Sequence, residues 1–350
     1  MNLKIKNTID KRIKEFLNKA DSCYKIKRLS PILSNTIREF VTRDGKRVRP
    51  ILFILGYLGF NKKEAKGLYE SAISIELLHD FMLVHDDIID KSGLRRGKPS
   101  MHKIFDRHIA ENKNIKFSGQ DLAIVAGDVM YAMGLASFLS IDVAKDKKEK
   151  AMRKLIEAAI NTGSGEFLEL MLAAKDISKI KKEQIYQVYD YKTACYTFAS
   201  PLAIGAILAG ANNQEAQKLY DYGIYLGRAF QIKDDILGMF SSEEETGKPL
   251  ISDLQESKRT LLMWHAYQMG TFVQKKYIKK VLSGEKIGMR ELKLTQDILI
   301  SSGSLAKTKE DIVYYASCAK KSLSNSKISP EIKDYLDQYS SLILNIQPDK

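Results

Sequence analysis

Apolar positions return at three- and four-residue steps along most of this chain. Ala72, Ile75, Leu78 and Met82 follow that rhythm, as do Leu155, Ala158 and Ala159, and again Leu219, Tyr222, Leu226 and Phe230. Such spacing lays side chains along one face of an α-helix. No run alternates apolar and polar residues between hairpin-type turns, so the pattern predicts an all-α fold. Breaks fall at Arg43-Asp44-Gly45, Asn61-Lys62, Ser92-Gly93 with Gly97-Lys98-Pro99, Ala211-Asn212-Asn213, Ser241 to Pro249, and Ser301-Ser302-Gly303. None is a long linker rich in Pro, Gly and Ser, so residues 1–350 read as one domain without short repeats. The expected content is roughly ten or more helices.

Composition narrows the class. Among 350 residues, 44% are hydrophobic and 28% charged, which argues against a disordered or fibrous chain. Seven prolines and 21 glycines leave room for long uninterrupted helices. Cys23, Cys195 and Cys318 have no CxxC spacing, which excludes a disulfide framework and a zinc knuckle and suits a reducing compartment. Met1 to Phe16 has no apolar core of signal-peptide type. The longest nearly apolar stretch, Phe198 to Ala211, is too short for a bilayer and reads as a buried helix. A soluble, cytoplasmic protein without a transmembrane segment is expected.

Lys and Arg total 56 against 43 Asp and Glu, a net charge of +13. Runs such as Asp146 to Lys150 and Lys179 to Lys182 read as solvated faces. The remaining charge suits nucleic acid, a membrane surface or phosphorylated small molecules. No RNP, zinc-finger or basic-zipper pattern supports nucleic acid, and none is expected as a partner.

Two segments depart from the ordinary: Leu83-Val84-His85-Asp86-Asp87-Ile88-Ile89-Asp90 and Phe230-Gln231-Ile232-Lys233-Asp234-Asp235-Ile236-Leu237-Gly238. Each sets an Asp pair among apolar helix positions, where desolvating carboxylates is costly. Asp86 and Asp90, four apart, project from one helical face and repel unless a cation lies between them. Oxygen ligands without Cys or His partners favour Mg²⁺ over zinc, and Mg²⁺ is commonly shared between carboxylates and substrate phosphates. Acids also cluster at helix ends and on solvated faces, so one such motif is weak evidence and two are stronger. Basic motifs accompany them. Gly45-Lys46-Arg47-Val48-Arg49-Pro50 places Lys46 and Arg49 three apart, hence on one expected helical face, and Arg95-Arg96-Gly97-Lys98 begins nine residues after Asp86. Arg forks match phosphate oxygens, and Lys adds a mobile charge.

GKRVRP, His79 with LVHDDIID, LRRGKP, Lys192-Thr193, FQIKDDILG and Thr246-Gly247-Lys248-Pro249 run from Gly45 to about Lys258 in an order that resembles the trans-isoprenyl diphosphate synthases, the polyprenyl synthetases. The resemblance implies an isoprenoid synthase fold, a helical bundle around a deep central cavity, and a homodimer. It implies that an allylic diphosphate ionises with Mg²⁺ help and is attacked by isopentenyl diphosphate, giving a trans-prenyl diphosphate. Carried over by motif, Asp86, Asp90 and Asp234 hold several magnesium ions, supported by Asp87 and Asp235. Lys46, Arg49, His79 and Arg96 match the isopentenyl diphosphate site. Arg95, Lys192, Thr193, Gln231, Lys248 and Lys258 match the allylic diphosphate site. Three positions depart from the family pattern: Asp44 where a second glycine is common, Gly238 where a third Asp is common, and Glu166 in place of the usual Gln.

Family members stop chain growth with bulky residues upstream of the first aspartate motif. Phe81 lies five residues before Asp86, roughly 7.5 Å deeper along a helix, and Met82 projects on nearly the same face as Asp86. Helical projection alone does not single out Phe81, which could be plain core packing. One aromatic at that position resembles archaeal-type geranylgeranyl (C20) diphosphate synthases; farnesyl (C15) and C25 or longer products are the alternatives. A class I terpene cyclase shares DDxxD and Mg²⁺, yet no second metal motif of the Asn/Asp–Ser/Thr–Glu type is present. A catalytically silent regulatory subunit would tend to lose its aspartate motifs, and both survive here.

Overall fold

The computed structural model describes residues 2–111, 114–241, 252–284 and 287–344. The chain begins with α1 (Asn2–Tyr24), α2 (Ile26–Leu29), α3 (Pro31–Val41), α4 (Val48–Leu58) and α5 (Leu68–Ile89). A small hairpin of β1 (Leu94–Arg95) and β2 (Lys98–Pro99) precedes α6 (Met101–Ile109), α7 (Gly119–Phe138), α8 (Lys145–Ala173) and α9 (Lys182–Val188). Without a break, α9 enters a π-helical segment, Tyr189–Ala199, which continues into α10 (Ser200–Ala209). There follow α11 (Asn213–Phe240), α12 (Ser252–Gln255), α13 (Leu261–Met269), α14 (Phe272–Val281), α15 (Met289–Ser301), α16 (Ser304–Ser324) and α17 (Pro330–Leu344).

The expected breaks have local causes. Gly210 at φ 96° closes α10 in the left-handed region that glycine occupies without cost. Asn212 then caps α11, its Oδ1 accepting from the Glu215 N–H at 2.9 Å. The apolar stretch Phe198 to Ala211 is a buried helix as expected, although its first residues belong to the π-helical segment. The hairpin was not foreseen, because two-residue strands carry no alternation. Its register pairs Leu94 with Pro99 and Arg95 with Lys98, and both turn residues, Arg96 (φ 55°) and Gly97 (φ 71°), are left-handed. Two successive left-handed residues give the tight turn that matches strand twist. Among the described residues one helix, α7, is long and apolar enough to cross a membrane, with 44% of that window buried inside the fold.

Two apolar cores meet on one helix. The first joins α1, α3 to α7 and α10 to the leading part of α11 through Leu219, Tyr222 and Leu226. The second gathers α9 and α13 to α16 around Ala229, Ile232, Ile236 and Met239 of the same helix. Along α5 the residues from Ser71 to Leu78 are all buried, and beyond Asp80 the helix surfaces, with Val84 and Asp87 still inside. The fold therefore brings the last two turns of α5 to a wall where chemistry is accessible.

Candidate active site

Asp86 and Asp90 close α5. The Asp90 N–H donates to the Asp86 carbonyl at 2.8 Å, so the two side chains sit one turn apart, as the spacing predicts. Asp87 is buried and accepts from Nε of Arg95 at 2.8 Å, while the Arg95 NH2 group also lies 3.5 Å from Asp86. Burial, then repulsion from Asp86 and Glu256, lifts the Asp90 carboxyl to about 7 against the opposing pull of Lys258 and Lys192. Lys258 itself pairs with Glu256 at 2.5 Å.

The π-helical segment joins this end of α5 to α11. Lys192 lies 3.6 Å from Asp86 and is gripped by Glu166 at 2.6 Å and by Glu169, both on α8. The very next residue, Thr193, donates from its hydroxyl to the Gln231 Oε1 at 2.8 Å. Gln231 passes the chain on through Nε2 to Asp235 at 3.0 Å, and Tyr189 donates its hydroxyl to the other Asp235 oxygen. Tyr189 in turn accepts from the Leu261 N–H at 2.7 Å. Consecutive residues thus touch the two aspartate segments, which lie 148 positions apart. Asp235 turns inward, whereas Asp234 is exposed, beside Lys233. Close approach of α8 to this segment needs a residue without a side chain: a Cβ at Gly165 would fall 2.5 Å from the Lys192 nitrogen. Glu166, a departure from the family pattern, is consequently an ion-pair partner of Lys192. Burial raises its carboxyl, partly offset by Lys192.

A second set of cations surrounds Tyr196. Arg49 donates to the Tyr196 hydroxyl and to Thr197 Oγ1, each at 2.8 Å, and its guanidinium lies 4.4 Å over the Tyr196 ring. The Tyr196 hydroxyl is also 3.2 Å from His79 Nδ1. Burial and then the charges of Arg49, Arg96 and Arg95 push the His79 imidazolium well below its ordinary value. At neutral pH His79 is therefore an uncharged hydrogen-bonding group in a positive surround. Arg96 packs on the loop at Gly45, where a Cβ would meet its guanidinium at 3.3 Å. One expectation needs correcting: α4 starts only at Val48, and Arg47 (φ 49°) is left-handed, so Lys46 and Arg49 do not share a helical face. Lys46 is exposed in the preceding loop. The loop is anchored by buried Arg47, which donates to Asp10 at 2.8 Å, Glu76 at 2.7 Å and the carbonyls of Val41 and Arg43.

Upstream of Asp86, the Phe81 ring lies 4.6 Å from the His85 ring and 5.3 Å from that of Tyr131 on α7. A Cβ at Gly127 would come within 2.7 Å of His85 Nε2 and 3.4 Å of Phe81, so glycine lets α7 carry this wedge. Met82 packs at the edge of the core. Behind Tyr131, a void of about 10 Å³ is lined by Ser74, Leu78, Gly134, Leu135, Leu155 and Ala159. Lys248, with the Thr246 to Pro249 motif, lies outside the described residues.

The donor set around Asp86 and Asp90 is oxygen-only, and among the described residues no three His, Cys, Asp or Glu side chains gather as a complete cage. Mg²⁺ suits that arrangement, because it is commonly held by one or two carboxylates, waters and substrate phosphates. The Asp90 carboxyl is raised first by burial and then by repulsion from Asp86 and Glu256, a repulsion that a cation between the carboxylates would offset. Sequence reasoning missed Tyr189, Tyr196 and Glu169, none of which belongs to a recognisable motif. It also missed the π-helical register that aims Lys192 and Thr193 at different partners.

Comparisons with known proteins agree on one relationship. The Polyprenyl synthetase family profile matches residues 30–298. A short chain isoprenyl diphosphate synthase of Methanocaldococcus jannaschii is 29% identical over 301 residues, 85% of this chain and 83% of that protein. A geranylgeranyl diphosphate synthase of Sulfolobus acidocaldarius is 32% identical over 271 residues, 77% of each. In structure, geranylgeranyl pyrophosphate synthase of Corynebacterium glutamicum, complexed with isoprenyl diphosphate and magnesium, superposes with a TM-score of 0.90 at 25% identity over 99% of both chains.

Proposed function

This chain belongs to the polyprenyl synthetase family, and from that premise we propose that it is a Mg²⁺-dependent trans-prenyltransferase that joins isopentenyl diphosphate to an allylic diphosphate and delivers geranylgeranyl diphosphate (C20). The observation that carries the reading is the adjacency of Lys192 and Thr193, which ties Asp86 to the Gln231–Asp235 chain. Asp86, Asp90 and Asp234 would hold the metal ions, with Asp87 and Asp235 held in place by Arg95 and by Gln231 and Tyr189. Bound Mg²⁺ supplies charge neutralisation for the departing diphosphate. Arg95, Lys192 and Lys258 are cations at the same wall, positioned to stabilise that developing charge. Arg49, His79, Arg96 and Lys46 take the diphosphate of the isopentenyl substrate. A diphosphate there would offset the guanidinium charges that, after burial, hold the His79 imidazolium below its ordinary value.

The growing chain runs beside α5 towards Phe81, away from water, and Phe81 with Met82 forms its floor. The chain works as a single domain, its two cores sharing α11. It pairs as a homodimer through the exposed apolar side chains of α7 (Ile124 and Val125), of Leu139 at its C-terminal end and of α8 (Ile156, Ile160 and Phe167), surfaces too apolar to be left to solvent. Its unpaired cysteines and water-soluble diphosphate substrates fit a cytoplasmic enzyme. The test is incubation of the purified protein with Mg²⁺, isopentenyl diphosphate and C5, C10 or C15 allylic diphosphates, with products dephosphorylated and read by mass. A C20 alcohol from all three is expected, and its loss in Asp86→Ala. A cyclic hydrocarbon, or no product from the wild-type protein, would overturn the proposal.

A further inference from the structure

The corner where α1 turns through α2 into α3 has no part in the aspartate site, yet its surface is not ordinary. Lys25, in the left-handed region at φ 54°, breaks the helical run between α1 and α2; Ile26 packs against the core, and Lys27 to Leu29 stand outward. Three large side chains stand in solvent there: Leu29 at 83% exposure, Tyr24 at 59% and Ile32 at 45%. Between them lie Lys25, Lys27 and Arg28, all exposed, and among the described residues no ion pair engages any of the three. These cations border a shallow, solvent-open hollow whose other lining residues are Asp21 and Ser22. Asp21 does not neutralise them, because its two oxygens accept from Ser34 Oγ at 2.7 Å and Arg38 NH2 at 2.8 Å.

We propose that this corner, residues 22–32, docks the protein on the surface of an anionic lipid bilayer. The three cations supply the complement to lipid phosphates, and the hollow between them is the place for a headgroup. Leu29 and Ile32 enter the acyl boundary, and Tyr24 sits at headgroup level, the division of labour that aromatic, aliphatic and basic side chains adopt at membrane interfaces. A nucleic acid would use the cations but leave two exposed aliphatic side chains without a partner. The attachment is peripheral and reversible, since the surface holds few apolar groups. Part of the +13 net charge thereby acquires a role. An enzyme whose product is an anionic amphiphile gains from working beside the phase into which that product partitions.

The full-length protein would be sedimented with vesicles of phosphatidylcholine alone, and of phosphatidylcholine with phosphatidylglycerol, at low and high salt. Binding to the anionic vesicles only, weakened by salt, is expected. Each basic residue at such a surface is worth about fivefold in affinity, so the triple variant Lys25→Gln, Lys27→Gln, Arg28→Gln should bind on the order of 100-fold more weakly. Leu29→Ser with Ile32→Ser should also bind more weakly, with charge unchanged. Prenyl transfer from soluble substrates should stay at the wild-type rate in both variants. Equal binding to neutral vesicles, no binding by the wild-type protein, or undiminished binding by the triple variant would overturn the proposal. So would duplex DNA held through the same three residues, or a changed oligomeric mass in either variant, which would make the corner a nucleic-acid or subunit contact.

Discussion

Replacing Phe81 by alanine tests the floor. At 1.5 Å per residue, Phe81 stands about 7.5 Å deeper along α5 than Asp86. The next turn upstream, carrying Leu77 and Leu78, is a further ~5.4 Å away. One trans-isoprenyl unit adds four bonds to the chain, about 5 Å at the advance per bond of an extended backbone. Removing the ring should therefore admit one more unit and no more, because Leu78 and Tyr131 then meet the chain at the edge of the 10 Å³ void. The expected main product is C25 in place of C20, and Phe81→Ala with Tyr131→Ala should lengthen it again. Complete burial of a Phe makes truncation cost 3–5 kcal/mol, and half-buried Phe81 should lose about 2 kcal/mol, which leaves a folded enzyme. The assay is mass analysis of dephosphorylated products from the C15 starter, with a thermal melt to confirm folding. Unchanged C20 output from a folded variant would refute the placement of Phe81 in the chain's path.

Gln231→Leu cuts the chain from Thr193 to Asp235; the Mg²⁺ concentration for half-maximal activity should rise about 10- to 100-fold, read from a metal titration of rate, and an unmoved midpoint would remove Gln231 from metal support. Arg47→Met leaves buried Glu76 without its partner and should cost about 3–5 kcal/mol in a urea melt, whereas a loss under 1 kcal/mol, as for an exposed pair, would contradict the anchoring of the Lys46 loop. Asp80 is fully buried, neither of its oxygens has a hydrogen-bond partner among the described residues, and burial, then Glu76, pushes its carboxyl up to about 8. A raised folded value gives stability that is complete below the ordinary carboxylate value and lost as pH climbs through the raised one. Asp80→Asn should hence raise the melting temperature at pH 8 and leave it nearly unchanged at pH 4; equal shifts at both would deny the ionisation of Asp80 a part.

What the sequence made legible and what it hid divide along a physical line. A carboxylate pair at four-residue spacing must share a face on any α-helix, so Asp86 and Asp90 could be placed from the chain alone, and the structure puts them there. The helical rhythm likewise announced α5, α8 and α11, because their apolar periods reflect the burial that forms them. Lys46 and Arg49 were misjudged for the converse reason. Their relation depends on one left-handed residue, Arg47, and no periodicity reports that an arginine will adopt φ 49° to satisfy Asp10 and Glu76. The π-helical segment was hidden more deeply, since Tyr189 to Ala199 has the composition of any half-buried helix and a π register differs from an α register only in which carbonyl each N–H finds. Yet that register decides the site, for it lets Lys192 reach Asp86 and Glu166 while Thr193, one residue on, reaches Gln231. Motifs announce which atoms meet a diphosphate, and the irregular backbone between them decides whether those atoms meet each other.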